Sequence, residues 1–117
     1  MLTQEHAQTA RAFLDEADRE FVEGDALQAS EKMWGAASHA IMAVAMQRGQ
    51  DCGTRRKMVN LAWEIARERD DVWLSAGISA AQQFHANFYH GFMETEDLGP
   101  NAEIVRRFVA RMLALAE

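Results

Sequence analysis

The sequence predicts an all-α protein, an up-and-down bundle of about five helices. The 117 residues include one proline and seven glycines, and they are rich in residues of high helix propensity. Apolar residues recur at three- and four-residue spacing in five successive segments, and no stretch alternates with the period of two that is typical of strands. Helix-capping and helix-ending residues separate these segments. The chain length fits one domain over residues 1–117.

The first helix is expected over about Thr3 to Glu23. Gly24 can adopt the left-handed conformation that ends a helix, and Asp25 can cap the helix that follows. Because only these two residues separate the helices, we expect a tight antiparallel hairpin. The apolar residues of the first helix form one buried stripe, which consists of Ala10, Phe13, Leu14, Ala17 and Phe21.

The second helix, expected over about Ala26 to Arg48, is apolar on more than one side. Its main apolar side contains Leu27, Met33, Trp34, Ala37, Ala40, Ile41, Val44 and Ala45. The opposite side contains Gln28, Glu31, Lys32, Gly35, His39, Met42 and Met46. Gly35, Met42 and Met46 are too small or too apolar for a surface that only water covers. Either another helix of the chain or a second copy therefore covers this side, and we predict these three residues at a homodimer interface.

The third helix is predicted from a cap at Thr54 to about Arg69, after a loop over residues 49–53. Asp70 and Asp71 then lead into a fourth helix that is expected to reach about Glu94. The apolar residues of the fourth helix include Leu74, Gly77, Ile78, Ala81, Phe84, Phe88, Tyr89 and Phe92.

A turn is predicted over residues 94–100, and a fifth helix is expected to open at Pro100 or Asn101. Proline suits the first position of a helix because its missing N–H has no partner there. The buried stripe of the fifth helix consists of Ile104, Val105, Phe108, Met112 and Leu115.

The net charge of −6 is concentrated near the beginning of the chain, where residues 1–31 carry eight acidic and two basic side chains. An acidic surface repels phosphate backbones, so general nucleic-acid binding is disfavoured. Cys52 is the single cysteine, which excludes an intramolecular disulfide and favours a reducing compartment. The sequence begins without a signal-peptide pattern and contains no apolar run of about 18 residues. We therefore expect a cytoplasmic protein without membrane segments.

His85 is the most informative polar residue, because it lies at the centre of the fourth helix's apolar stripe. Burying an imidazole without a partner costs about 1–3 kcal/mol, so a hydrogen-bond partner or a ligand should satisfy it. His85 is therefore either a satisfied core histidine or a residue that contacts a ligand or transfers protons. His85 and His90 face different sides of the helix, and no metal-ligand motif such as HExxH or CxxC occurs. We expect no metal and no cofactor.

The basic cluster Arg55-Arg56-Lys57 occupies the first turn of the third helix, where cations oppose the helix dipole. Basic residues in a position that is electrostatically unfavourable for the helix can indicate a contact with an anion or an acidic partner. The acidic first helix of another subunit is one such partner. The other interpretation is a solvated cluster without a role.

Three segments together resemble the HEPN superfamily of small helical bundles, particularly its compact PaREP-like branch. They are the first hairpin with its Glu23-Gly24-Asp25 turn, the run Ala29-Ser30-Glu31-Lys32-Met33-Trp34-Gly35-Ala36-Ala37 with His39-Ala40, and His85-Ala86-Asn87-Phe88-Tyr89. The resemblance spans about residues 10–110. It implies a four- or five-helix bundle that is often dimeric, with links to nucleotide binding, nucleotidyltransferase partners or RNA cleavage. Its ribonuclease members carry Arg-x(4–6)-His, a spacing that no histidine of this sequence has.

The resemblance also implies a candidate ligand pocket, which consists of Glu31, Trp34, His39, His85, Asn87 and Tyr89. The leading hypothesis is a non-catalytic bundle that dimerises and binds a partner protein, such as a nucleotidyltransferase, or a nucleotide-type ligand. The alternative is an RNA- or nucleotide-processing enzyme that uses His85 with Glu31 or Tyr89 and shows bell-shaped pH dependence. No catalytic residue is assigned.

Overall fold

The computed structural model describes residues 2–117, which form five α-helices and confirm the predicted fold class. The helices are α1 (Thr3–Glu23), α2 (Ala26–Arg48), α3 (Arg55–Arg69), α4 (Val72–His90) and α5 (Thr95–Leu115). Met1, which the expected domain over residues 1–117 includes, lies outside the described residues. Within residues 2–117, none of the helices has the length and apolar character that crossing a membrane requires.

The hairpin of α1 and α2 has the predicted boundaries. Gly24 adopts a left-handed conformation with φ of 85°, and its backbone N–H donates to the carbonyls that end α1. The carboxylate of Asp25 accepts the backbone N–H of Gln28 at 3.0 Å and so caps α2. Because Gly24 ends α1 and Asp25 caps α2 directly after it, the loop between the two helices consists of these two residues.

The central helix of the bundle is α2, which packs against each of the other four helices. Ile41 and Val44 of α2 are fully buried, as are Phe84 of α4 and Phe108 of α5. The α3 helix packs against α2 and α4, while α1 lies against α2 and touches α5. Because α1 and α3 flank α2 without packing on each other, a strip of α2 between them stays accessible.

The boundary between α3 and α4 also lies where the sequence predicts it. Thr54 caps α3 by accepting the backbone N–H of Lys57 at 3.2 Å. Asp70 ends α3 in a left-handed conformation with φ of 49°, which aspartate tolerates better than most residues. The Asp71 carboxylate then caps α4 by accepting the backbone N–H of Trp73 at 2.9 Å. Asp70 therefore ends α3 and Asp71 caps α4, in the same way that Gly24 ends α1 and Asp25 caps α2.

The predicted end of α4 and start of α5 are wrong. The α4 helix ends at His90, because Gly91 takes a left-handed conformation with φ of 59° and donates to the carbonyl of Asn87. The α5 helix begins at Thr95, earlier than the Pro100 or Asn101 predicted from the preference of proline for a first position. Glu96 and Asp97 lie in the first turn of α5, where acidic side chains complement the helix dipole. Phe92 therefore lies beyond α4 and is half-exposed instead of forming part of a buried stripe.

The crossing of α4 and α5 depends on the missing side chain at Gly77. A Cβ atom at this position would lie 2.2 Å from Cβ of Phe108, which is fully buried in α5. The two helix backbones can approach this closely only because residue 77 is a glycine.

Replacing Gly77 by alanine should destabilise the protein by about 3 kcal/mol, because the added methyl group forces the two helices apart. The control is Ser79→Ala, at an exposed position in the middle of the same helix. The control should stabilise the protein by about 0.5 kcal/mol or less through the higher helix propensity of alanine. Urea unfolding of both variants measures the difference, and equal stabilities would contradict this packing.

Candidate functional site in a groove along α2

The site begins with a close contact between α1 and α2 at Gly35. A Cβ atom at Gly35 would lie 2.9 Å from Cδ2 of Phe13, so the absence of a side chain lets the Phe13 ring lie against α2. The same ring contacts the imidazole of His39, with 5.6 Å between ring centroids. The Nζ atom of Lys32 lies over its face at 5.9 Å from the centroid. Phe13 therefore forms one wall of a groove whose floor is α2.

The groove has a volume of about 440 Å³ and runs along α2 between α1 and α3. Phe13 of α1 lies on one side and Met58 of α3 on the other. The floor consists of Gln28, Glu31, Lys32, Trp34, Gly35, Ser38, His39 and Met42 of α2. We call this feature the α2 groove. Its volume is within the range of small-molecule pockets, and its lining combines apolar walls with a few polar groups.

Glu31 carries the unexplained polar atom of the α2 groove. Its Oε2 atom is buried and has no hydrogen-bond partner anywhere in the described part of the chain. The neighbouring cation, Lys32, is engaged elsewhere, because its Nζ atom lies 3.3 Å from the carboxylate of Glu16 on α1. A carboxylate oxygen that is removed from water without a donor is costly. The Glu31 side chain as a whole is half-buried in the groove lining, so a rotation of its carboxylate would bring Oε2 to a group that enters the groove.

His39 forms a hydrogen bond with a residue that the sequence analysis did not select. Its Nδ1 atom lies 3.0 Å from Nδ1 of His6 on α1, so one ring donates and the other accepts. Burial lowers the pKa of His39. Burial and the nearby His39 ring lower the pKa of His6, against the smaller opposing effect of Glu5. His6 precedes Ala10 by four residues and continues the buried stripe of α1, a spacing that could have revealed it.

His85 lies beside the α2 groove and not in its lining. Its ring packs on Trp34 with 4.8 Å between centroids and 33° between the ring planes. The rings of His85 and Tyr89 are nearly perpendicular, with 5.4 Å between their centroids, and Tyr89 itself is 67% exposed. The His85 Nδ1 atom is buried and has no hydrogen-bond partner within residues 2–117. Glu31 and His85 therefore each present an unsatisfied polar atom on residues that adjoin Trp34.

Asn87, the remaining residue of the predicted pocket, lies in the core with 2% of its surface exposed. Its Nδ2 atom donates to the hydroxyl of Ser30 at 3.0 Å, and its Oδ1 atom accepts the backbone N–H of Met93 at 2.8 Å. Both polar ends of this side chain are thus used within the chain. The structure gives Asn87 a role in joining α2 to the turn after α4, and it does not bring Asn87 into the groove.

The basic cluster of residues 55–57 is divided in the structure. Lys57 forms an ion pair with Asp51 in the preceding loop, and its hydrogen bond lowers the pKa of the Asp51 carboxyl group. Arg55 and Arg56 are exposed and line a separate cleft of about 180 Å³ between α3 and α4. The three cations therefore do not converge on one anion site, and none of them lines the α2 groove.

In the structure, Phe13 of the same chain lies directly against Gly35. A contact of Gly35 with a second copy stays a prediction. Met42 is half-buried in the α2 groove, and Met46 is 45% exposed. A second exposed apolar cluster, which the sequence analysis missed, lies where α2 begins and α4 ends and contains Leu27, Tyr89 and Phe92. Leu27 lies next to Gly91, which brings its side chain to this end of α4.

Cys52 has the properties of a weak nucleophile. Burial, with a contribution from the negative charge of Asp51, raises the pKa of its thiol, so the protonated form dominates at neutral pH. In the portion of the chain that the structure describes, no three His, Cys, Asp or Glu side chains are grouped so that they could hold a metal ion.

The His6–His39 pair should make stability depend on pH. Both folded-state pKa values are lowered, so the unfolded chain binds protons first as the pH falls through the ordinary histidine value of about 6.5. The free energy of unfolding should therefore be constant above this pH and decrease below it. Urea unfolding at several pH values tests this, with His6→Phe expected to reduce the dependence and the exposed His90→Gln as control. An identical decrease in wild type and His6→Phe would contradict the role of the pair.

Comparison with known proteins agrees with this architecture. A crystal structure of a protein from Sulfolobus solfataricus superposes with a TM-score of 0.80 at 18% sequence identity, and the match covers 93% of this chain and 97% of that one. At this identity the similarity shows the fold. Among curated proteins, none matches the chain. The sequence matches the archaeal PaREP1/PaREP8 family over residues 5–109, and the chain therefore belongs to this family.

Proposed function

We propose that this protein is a non-catalytic binding module that forms a homodimer and binds a ligand or a partner's side chain in the α2 groove. The observation that carries the proposal is the buried Oε2 atom of Glu31, which has no donor within residues 2–117. Native proteins satisfy nearly all buried polar atoms, so an exception on a side chain that lines a groove supports a binding partner there.

The shape and lining of the α2 groove support the same proposal. The half-buried Phe13 ring and the small exposed part of Trp34, which is 7% exposed, offer apolar surface, and Met42 and Met58 offer flexible apolar side chains. A ligand that fits must present a hydrogen-bond donor to Glu31 and an apolar or planar body to these walls. The amino group of a nucleobase, as in a nucleotide-type ligand, and a basic side chain of a partner protein such as a nucleotidyltransferase both meet this requirement. An origin in the HEPN superfamily is part of the proposal.

The homodimer rests on exposed apolar surface. Met46 is 45% exposed on the same side of α2 as the groove, and apolar side chains in this position favour contact with a second copy. The proposal also includes a cytoplasmic location, which the single Cys52 favours. It further includes the acidic surface of α1 as part of the exposed surface of the module. Each copy would form one domain over residues 1–117.

An enzyme that processes RNA or a nucleotide is the second candidate, and one observation favours it. The His85 Nδ1 atom is buried beside Trp34 without a partner among the described residues, and an imidazole nitrogen without a hydrogen-bond partner can act as a general acid or base when a bound molecule reaches it. The exposed Tyr89 hydroxyl lies on the adjacent turn of α4 and could assist it.

Ligand binding can be followed by the fluorescence of Trp34 once Trp63 and Trp73 are replaced by phenylalanine. We expect a saturable change when guanosine monophosphate or an N-acetyl-lysine amide is added, because both present donors to Glu31. In this background, Met42→Phe should fill the groove and abolish the change. The matched control, Met46→Phe, lies outside the groove lining and should preserve it. A change that survives Met42→Phe, or no saturable change with either probe, would contradict binding in the groove.

The oligomeric state can be measured by light scattering. The wild type should have twice the 13.2 kDa mass of the chain, and Met46→Glu should shift it towards the monomer by placing a charge in the interface. Val22→Glu is a suitable control, because Val22 is 89% exposed on α1. If Phe92→Glu separates the copies and Met46→Glu does not, the interface lies at the Leu27, Tyr89 and Phe92 cluster. A monomeric wild type would contradict the homodimer.

A further inference from the structure

Three exposed apolar side chains lie together at one end of the bundle, where α2 begins and α4 ends. Leu27, Tyr89 and Phe92 are 43%, 67% and 51% exposed. A Cβ atom at Gly91, the residue before Phe92, would lie 3.8 Å from Cδ2 of Leu27, so the surface spans both helices. Large apolar side chains that are exposed as a group, and not singly, indicate an interaction surface. We call these three residues the apolar end cluster.

Contacts within the chain hold this surface in one arrangement. In the turn after α4, the backbone N–H of Met93 donates to Oδ1 of Asn87 at 2.8 Å. The Nδ2 atom of Asn87 donates in turn to the hydroxyl of Ser30 on α2 at 3.0 Å. The Tyr89 ring lies against the ring of Phe88, with 5.0 Å between their centroids. A surface that is preformed in this way loses little conformational entropy when a partner binds.

The chain segments that contain the apolar end cluster are acidic. Residues 20–28 and 89–98 include six carboxylates and neither a lysine nor an arginine. These carboxylates belong to Glu20, Glu23, Asp25, Glu94, Glu96 and Asp97. None of the six forms an ion pair within residues 2–117, and all but the first are exposed. The apolar surface therefore lies between two turns with negative charge, the α1–α2 turn and the α4–α5 turn.

The cations nearest to the apolar end cluster compensate this charge only in part. Arg19 precedes the first acidic segment and is exposed. Arg55 and Arg56 line a cleft with Gln82, which precedes Tyr89 on α4 by about 10 Å along the helix axis. Three arginines at the margin against six carboxylates leave a negative potential at the cluster. Such a potential attracts a basic partner and repels an acidic one.

We propose that the apolar end cluster binds a basic amphipathic helix of another protein. In such a helix, lysine and arginine side chains lie on both sides of an apolar stripe, which matches an apolar surface between two acidic turns. A second copy is disfavoured, because contact through this cluster would place the two acidic sets opposite each other. The cluster lies outside the lining of the α2 groove. The inference therefore goes beyond the proposed function and does not depend on it.

The experiment measures binding of a fluorescein-labelled, amidated peptide to the full chain by fluorescence anisotropy. The basic peptide has about 14 residues, roughly four helical turns, with leucine along one face and lysine on the others. One control peptide has glutamate in place of every lysine, and another has glutamine in place of every leucine. We expect saturable binding of the basic peptide, which weakens as the ionic strength rises, and affinities lower by about tenfold or more for both control peptides.

Variants of the apolar end cluster locate the binding site. Tyr89→Ala combined with Phe92→Ala should weaken binding of the basic peptide by about tenfold or more, because it removes two aromatic contacts. The control is Val72→Ala, which removes an apolar side chain that is 71% exposed at the opposite end of α4. This control should leave the affinity unchanged. Circular dichroism shows whether each variant retains its helices, and the control peptides test the inference with the unaltered chain.

Variants of the acidic turns test the charge complementarity. Glu23→Gln combined with Glu94→Gln should weaken binding by about threefold or more at low salt, because it removes one carboxylate from each turn. Neither side chain caps a helix through a hydrogen bond. The control combines Asp15→Asn with Glu64→Gln, which removes two exposed carboxylates from α1 and α3 outside both turns. This control should retain the wild-type affinity.

Five results would overturn the inference. The first is no saturable binding of the basic peptide. Equal affinity for the peptide without leucine would show that charge alone attracts it, and equal affinity for the acidic peptide would remove the charge complementarity. Unchanged affinity in either of the two cluster and turn variants would place the binding site elsewhere. If light scattering shows that Phe92→Glu converts a wild-type dimer into a monomer, a second copy covers the cluster instead.

Discussion

The contact between Phe13 and Gly35 is the constraint on which the site depends. A side chain at residue 35 would collide with the Phe13 ring, so α1 can lie this close to α2 only with glycine there. The close approach brings His6 to His39 and Glu16 to Lys32. It also builds the wall of the α2 groove. The contact between Phe13 and Gly35 therefore also allows Lys32 to pair with Glu16, and Glu31 keeps no cationic partner among the described residues.

The two-sided character of α2 follows from its central place in the bundle. One side of α2 packs into the common core with α4 and α5, where residues such as Ile41 are fully buried. The other side is covered by α1 at Gly35 and His39, and it opens into the groove towards α3. Trp34 connects the two regions, because it lines the groove and packs on His85 of α4. A change at the groove can therefore reach α4 through a direct ring contact.

Much of the fold could be predicted from the sequence, because α2, α3 and α4 begin at residues whose capping chemistry is local. Gly24 with Asp25, and Thr54, act through their own backbone and nearest neighbours. The end of α4 could not be found in this way, because Phe92 and Met93 extend the apolar spacing across Gly91 and hide the stop. The predicted start of α5 at Pro100 or Asn101 is wrong, because the preference of proline for the first helical position does not apply to Pro100, which lies inside the helix.

The candidate site was predictable in part, for a related reason. Glu31 and Trp34 are three residues apart and lie on neighbouring turns of α2, and His39 follows Glu31 by eight residues, about two turns further along the helix, so the three residues line one groove. The roles of His6 and Asn87 depend on partners distant in sequence, at His39, Ser30 and Met93. Periodicity in one helix does not identify a partner on another. The engagement of Lys57 by Asp51 likewise depends on the path of a loop, which the residues alone do not specify.

The most direct measurement is the nuclear Overhauser contact between the Phe13 ring and the α-protons of Gly35, in a mixed sample of labelled and unlabelled chains. Mixing separates contacts within a chain from contacts between copies. We expect a strong contact within one chain, together with a contact between the rings of His6 and His39. A Phe13–Gly35 contact that appears only between copies, or its absence, would contradict the account, because the groove would then lack its wall.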